Sequence, residues 1–309
     1  MRKVSVSVPC ALANLGPGLE CLALALSLRS TVELWEISQG LEIDLEGEAA
    51  EGGRVPLDST NLVVRAAEAV FEKAVRRPTG LRVHAVNAIP LAAGLGASTA
   101  AVVGGLAAAN ALVDARLTRD EIWRLAYDLE GQAHTAAAAL FGGLALVSAQ
   151  AQELVRRSLA VPPMKVAVAV PAVALSAAEA REVLPETVPL KDAIFNLGHV
   201  LLTVQALTAG DFELLPWAAT DRLHQPYRQK LIPGFEAAVA EARRAGAKAV
   251  SIAGKGPALA ALAPDKHDDI ASAMKKAFEA GGTPCRTLVL PVDRQGVQVQ
   301  LSITGPAGV

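Results

Sequence analysis

The sequence predicts a mixed helix-and-strand protein in two halves that share a cleft, and three observations carry that prediction. Its 309 residues, 52% apolar and 19% charged, can bury a large core, and the length suits one elaborate domain or two ordinary ones. Stretches of period-two apolar alternation interleave with stretches of helical period along the whole chain. The pair Pro162-Pro163, just before an alternating segment at 165–170, marks a boundary that we place near residue 157, giving halves of 1–157 and 158–309.

Taken in order, Val4, Val6 and Val8 alternate as in a strand that ends at Pro9. Asn14-Leu15-Gly16-Pro17-Gly18 is a turn-rich loop before the apolar run 22–28. Residues 33–45 read as strands, and 46–58 form a polar connection that Gly52-Gly53 and Pro56 keep irregular. From Asn61, the residues Leu62, Val63, Ala66, Ala69, Val70 and Phe71 fall at helical spacing. Leu81, Val83, Ala85 and Ile89 form a strand that stops at Pro90. A glycine-rich loop follows, then a helix with unusually small side chains over 98–112. Thr118 and Glu121 have the spacing of a capping box, opening a helix that runs to 129, and a second alanine-rich stretch ends at Gly142-Gly143. Past the boundary come a strand at 165–170, helices around 196–208 and 236–244, and a strand at 249–252. The loop Gly254-Lys255-Gly256, a helix at 268–280 and strands at 286–291 and 296–303 complete the chain.

A net charge of −2 and a pI near 6.2 provide no basic field for nucleic acid or an anionic membrane, and 4% aromatic residues provide few stacking surfaces for bases. Nucleic-acid and membrane partners are therefore not expected. Cys10, Cys21 and Cys285 have neither disulfide-scaffold density nor metal-site spacing, which points to a reducing, cytoplasmic setting.

The chemistry concentrates in Ile89-Pro90-Leu91-Ala92-Ala93-Gly94-Leu95-Gly96-Ala97-Ser98-Thr99-Ala100, where a strand hands over to a helix. Glycines let the backbone approach phosphate oxygens, the first helical N–H groups lack internal partners, and the macrodipole adds positive charge. A hydroxyl such as Ser98 can also ligate Mg²⁺. The loop has no lysine and no third glycine, so neither commonest phosphate fingerprint applies.

The string resembles the P-x-x-x-G-L-G-S-S-A-A signature of the GHMP kinases, departing at Ala97 and Thr99. Two further segments resemble that family in order. Residues 8–22, from Val8-Pro9-Cys10 to Glu20-Cys21-Leu22, resemble its first motif in the form homoserine kinases carry. Ser251-Ile252-Ala253-Gly254-Lys255-Gly256-Pro257-Ala258 resembles its third motif. Arg181-Glu182-Val183-Leu184-Pro185 and the segment 221–228, Asp221 to Arg228, resemble homoserine kinase segments as well.

The resemblance implies an α+β fold of two lobes, with an N-terminal half like ribosomal S5 domain 2 and a ferredoxin-like C-terminal half. It also implies ATP and Mg²⁺ as cofactors and L-homoserine as substrate, with homodimerisation as a further possibility. By resemblance, Arg181 and Arg228 hold the substrate carboxylate, Glu20 faces its ammonium and Asn14 hydrogen-bonds it. Asn61 belongs to the segment that receives adenine, residues 90–100 wrap the phosphates, and Ser98 and Glu130 are the Mg²⁺ ligands. Taken alone, Asn14 reads first as a turn cap and Glu130 as an exposed acid ending a helix, and Arg181 and Arg228 read also as ordinary surface arginines.

The pattern breaks at the stretch 130–143. Gln132, His134 and Thr135 stand where homoserine kinases typically have His, Asp and Asn. Thr135 is thus expected beside the reacting hydroxyl with Ser98, Glu130 and Arg181. His134 reads either as a substitute base or, by preference, as a packed or capping residue. The break leaves room for a kinase of another small alcohol, or for a non-catalytic nucleotide-binding member of the fold.

Overall fold

A computed structural model describes residues 2–150 and 153–303. The first sheet has seven strands. β1 (Arg2–Ala13), β2 (Leu22–Ile37), β3 (Gly40–Gly47), β4 (Gly80–Asn87), β5 (Leu144–Gln150) and β6 (Glu153–Leu159) are joined by β11 (Gln298–Ile303). The main path is β11-β1-β2-β4-β3, with β5 and then β6 added beside the start of β2. Only the β3–β4 pair is parallel.

Of the four helices α1 (Leu62–Phe71), α2 (Ala97–Val113), α3 (Arg119–Glu130) and α4 (Ala133–Phe141), α2 and α4 pack on this sheet, and α1 and α3 pack against them. The small-faced character of α2 has a cause. A Cβ at Gly104 would lie 2.7 Å from the Val32 side chain, and one at Gly105 would lie 2.7 Å from the Val63 carbonyl oxygen. The helix is wedged between β2 and α1 at a spacing only glycine permits, and Val103, Leu106 and Ala108 are fully buried there. The expected box at Thr118 forms in full, with Thr118 Oγ1 accepting from the Glu121 N–H and Glu121 answering the Thr118 N–H.

The second sheet is antiparallel and four-stranded, in the order β10-β7-β9-β8, from β7 (Lys165–Pro171), β8 (Ala249–Ile252), β9 (Leu259–Leu262) and β10 (Cys285–Pro291). Between β7 and β8 lie α5 (Glu179–Glu182), α6 (Leu190–Ala209), α7 (Leu215–Ala218), α8 (Gln225–Arg228) and α9 (Phe235–Arg244), and α10 (His267–Ala280) precedes β10. The β-α-β-β-α-β succession with this strand order is the ferredoxin-like arrangement.

Three expectations change. β1 does not end at Pro9 but bends there through a register shift and continues to Ala13, because Cys10 to Ala13 still pair with β2. The chain crosses between sheets within 160–164, at the proline pair, whereas residue 157 lies inside β6 opposite Leu146. The final strand belongs to the first sheet, so 158–309 is not a self-contained half. Asp293 turns the chain back: its carboxylate accepts from the N–H groups of Gln295 and Gly296 and pairs with Arg29 of β2.

Candidate active site

Three loops from distant parts of the chain meet where the two sheets approach. The loop after β1 opens with Asn14 and Leu15 in left-handed backbone, and Asn14 Nδ2 donates to the Gly254 carbonyl at 2.8 Å. The Gly254 N–H donates to the Ala13 carbonyl, Ala11 N–H to the Leu95 carbonyl, and Ala258 N–H to the Ala93 carbonyl. Gly94 lies so close to the third loop that a Cβ there would sit 1.9 Å from the Ala253 carbonyl oxygen. The glycine is required both by this approach and by its φ of +81°.

Beside this junction is a cavity of about 410 Å³, in the size range of small-molecule sites. Val32, Leu45, Ala49, Val55, Leu62 and Val63 give it an apolar end, and the loop from Pro90 to Ser98 with Lys255 gives it a polar end. Gly96 caps α2 in left-handed backbone, leaving the N–H groups of Ala97, Ser98 and Thr99 without carbonyl partners inside the helix. Ala92 also holds φ +54°, unusual for a residue with a side chain. Such an end suits a polyphosphate.

Not every residue of the 90–100 stretch meets the cavity. Leu95, Thr99 and Ala100 are buried and do not line it: Leu95 precedes α2, and the period of α2 turns Thr99 and Ala100 from the face Ser98 occupies. Asn61 lines the cavity, but its side chain is fully engaged elsewhere. Its Oδ1 accepts from the Val63 N–H as the cap of α1, and its Nδ2 donates to the Pro56 carbonyl. Asn61 therefore shapes the apolar end of the cavity rather than offering it free polar groups, and the apolar walls from β2, β3 and 49–55 were not legible beforehand.

At the polar end, burial pushes the Glu130 carboxyl above its ordinary range, opposed by the Ser98 and Thr99 hydroxyls and by Lys255. Its Oε2 is buried without a hydrogen-bond partner. An orphaned carboxylate oxygen beside an exposed serine hydroxyl fits a hard cation that takes one or two protein oxygens. Among the described residues no three or more His, Cys, Asp or Glu side chains gather as a metal cage. Thr135 is buried, its hydroxyl donating to the Gln132 carbonyl and meeting Thr99 Oγ1 at 3.3 Å, at the cavity wall. His134 is buried, and desolvation together with the Lys255 charge lowers it to about 4, so it is neutral at physiological pH.

Glu20, Arg181 and Arg228 lie near enough to Lys255 that their charges act on one another and on it, though none of the three lines the cavity. Arg228 is buried. Its Nε donates to the Ala180 carbonyl, fixing the short helix that carries exposed Arg181, and its Nη1 donates to the Gly254 carbonyl and to His224 Nδ1. His224 Nε2 in turn donates to the Gly16 carbonyl at 2.7 Å. Desolvation, then Arg181, lower Arg228 from its ordinary range, against Glu20 and Asp221. Exposed Glu20 is held in left-handed backbone by its N–H donating to Asn14 Oδ1. Asn14 thus ties loops together with both ends of its carboxamide.

The sequence of the chain is 38% identical to a homoserine kinase of Caldicellulosiruptor bescii over 96% of both proteins. It is 39% identical to one from Moorella thermoacetica, over 95% of this chain and 99% of that protein. The family models described as GHMP kinases N terminal domain and GHMP kinases C terminal match residues 61–143 and 203–280. The chain belongs to the GHMP kinases. Its fold superposes on the crystal structure of homoserine kinase from Cytophaga hutchinsonii with a TM-score of 0.88, at 28% identity, covering 96% of this chain and 97% of that one. As a GHMP kinase it is an ATP-dependent small-molecule kinase.

Within this kinase, the positioning residues around Arg228 escaped the sequence reading. Asp221 accepts from the N–H groups of Leu223, His224 and Gln225, and from Asn196 Nδ2. Gln225 Oε1 accepts from Ile252, and Asn196 Nδ2 also reaches the Pro17 carbonyl. An Asp followed by the start of a short helix was the available signal, since a carboxylate capping successive N–H groups is local chemistry.

Proposed function

We propose that this kinase transfers the γ-phosphoryl group of ATP to the primary hydroxyl of L-homoserine, yielding O-phospho-L-homoserine on the route to threonine in the cytoplasm. The observation that carries the reading is the cluster of Glu20, Arg181 and Arg228 within electrostatic reach of Lys255, which itself lines the cavity with the phosphate loop. An amino-acid zwitterion needs a cationic grip for its carboxylate and an acceptor for its ammonium, and this set provides both. Relatives named homoserine kinase at 37–40% identity over most of their length support the choice of amino acid.

Adenine would enter the apolar slot and the triphosphate would lie over Gly94 to Ser98, where the α2 N-terminus balances its charge. Arg181 and Arg228 hold the carboxylate, so the hydroxyl arrives at Lys255 and the α4 N-terminus. Its oxygen bonds to the γ-phosphorus as the bond to the bridging oxygen breaks and ADP leaves, and the hydroxyl proton passes late to an oxygen of the transferred phosphoryl group. A loose transition state of this kind rests on alignment and charge more than on a base, so none is required of neutral His134 or buried Thr135. Mg²⁺, held by Glu130 and Ser98, would neutralise phosphate charge when bound.

The test is ADP release with ATP and Mg²⁺, comparing L-homoserine with L-serine, L-threonine, mevalonate and no acceptor. Stimulation chiefly by homoserine is expected. ATP binding without homoserine-stimulated turnover would overturn the assignment, and turnover with another alcohol would redirect it.

A further inference from the structure

Lys255 sits on the turn between β8 and β9, and bonds on both sides of it hold the backbone there. The Gly254 N–H donates to the Ala13 carbonyl, the Gly254 carbonyl accepts from Asn14 Nδ2 and Arg228 Nη1, and the Gly256 N–H closes the turn on the Ala253 carbonyl. The turn brings half-buried Lys255 to the cavity wall it shares with Gly94, Gly96 and Ser98 of the phosphate loop and with Gln132 and Thr135 at the start of α4. Its ammonium has no partner there. The charges of Arg181, Glu20, Arg228 and Glu130 all act on it, yet no carboxylate among the described residues comes within the 4.0 Å of an ion pair. Glu130, whose carboxyl meets the Ser98 and Thr99 hydroxyls, keeps its Oε2 unpartnered as well, so the two opposite charges sense each other across a gap.

An ammonium drawn out of water without a partner costs stability. Desolvation first, then Arg181, lower Lys255 from its ordinary range, against Glu20 and Glu130. An anion entering the cavity supplies the missing partner. The wall indicates which anion, because the groups beside Lys255 are glycines and the unpaired N–H groups of a helix start, which suit phosphate, whereas the planar forks that suit a carboxylate belong to Arg181 and Arg228, off the wall. With the base in the apolar slot, the phosphates run towards the polar end, and the last of them reaches Lys255 and α4.

We propose that Lys255 is a catalytic residue of this kinase, whose ammonium binds the terminal phosphoryl group of ATP and stabilises the charge on its oxygens during transfer. Nζ donates to a non-bridging γ-oxygen and keeps its own protons. The acceptor oxygen bonds to the γ-phosphorus, the bond to the β–γ bridging oxygen breaks, and that electron pair leaves with ADP. The inference rests on the phosphate loop as the cradle of the triphosphate and not on which alcohol accepts the group.

Calorimetry with Mg²⁺ and no acceptor tests it, comparing ADP with the β,γ-imido analogue of ATP on wild type, Lys255→Met and Lys255→Arg. Lys255→Met should weaken the analogue ~10–100-fold and leave ADP within about twofold, whereas Lys255→Arg, which keeps the charge, should lose less than ~10-fold. Without nucleotide, Lys255→Met should melt no lower than wild type, since the ammonium has no partner to lose. Its kcat with the best acceptor of the panel above should fall by ~100-fold or more. Equal weakening of ADP and the analogue would overturn the proposal, as would a raised acceptor KM with both nucleotides bound as in wild type. A wild-type chain that binds neither nucleotide would overturn the reading of the loop itself, and the proposal with it.

Discussion

Replacing Gly94 by alanine tests whether the phosphate loop and the third loop must touch. The new Cβ would lie 1.9 Å from the Ala253 carbonyl oxygen and 3.1 Å from the Gly256 nitrogen, whereas real Cβ contacts essentially never fall under 3.0 Å. Both neighbours are backbone, so one loop must retreat by about 1 Å, and a displacement of that size near reacting groups costs ~100-fold, or ~2.7 kcal/mol of transition-state stabilisation. The positive φ adds ~1 kcal/mol of strain, which for a chain of this size lowers the melting temperature by only about 2–4 °C. Gly40→Ala is the control. It has the same sign of φ, +82°, but open space around the Cβ, so it should share the stability loss and keep its turnover. Steady-state ADP release and thermal melts on both variants separate the two effects. If Gly94→Ala kept kcat/KM within twofold of wild type, the argument from loop contact would be refuted.

Three further outcomes follow from the same geometry. Arg228→Lys loses the planar fork that reaches the Ala180 and Gly254 carbonyls, so the homoserine KM should rise ~10–100-fold while ATP affinity, measured by calorimetry, stays near wild type. Glu130→Gln should raise the Mg²⁺ needed for half-maximal rate by at least ~10-fold. Its carboxyl is raised in the folded state, so its ionisation destabilises the apo protein above that raised pKa. The variant should therefore melt higher than wild type at pH 8 and not at pH 4. His134, lowered from 6.5 to about 4, favours the fold in its neutral form, a contribution present above pH 6.5 and lost as pH falls towards 4. The loss amounts to about 3 kcal/mol. His134→Gln should flatten urea-measured stability across that window and leave the rate profile between pH 6 and 9 unchanged. A lost limb in that profile would restore His134 as a base.

Features governed by neighbours a few residues away were legible in the sequence. The start of α1 at Asn61, the box at Thr118 and the glycine loop into α2 are set by local backbone preferences and by side chains bonding N–H groups two or three positions on. The proline pair at 162–163 marked the crossing between sheets for the same reason, since it removes donors a strand would need. The capping carboxylate of Asp221 was equally local and went unread. The residue types on which the proposed roles rest, glycines for phosphate, arginines for carboxylate and a serine and an acid for a cation, stood in the sequence, whereas their arrangement did not.

What those residues touch could not be read this way, because their partners lie far along the chain. Asn14 bonds a carbonyl 240 residues away, so its use as a fastener depends on the packing of the two sheets. Lys255 stood in the sequence as one member of the third motif, with nothing to say what it faces. Only the convergence of three loops brings it to the cavity wall and within electrostatic reach of the arginine pair. The return of β11 to the first sheet is likewise decided by which surfaces remain after the core has formed. The sequence by itself determined the local backbone and the kinds of chemistry present, since these depend on short-range sterics and hydrogen bonds. The tertiary structure alone decided which groups meet, since strand register and burial are settled only when segments distant in sequence compete for the same core.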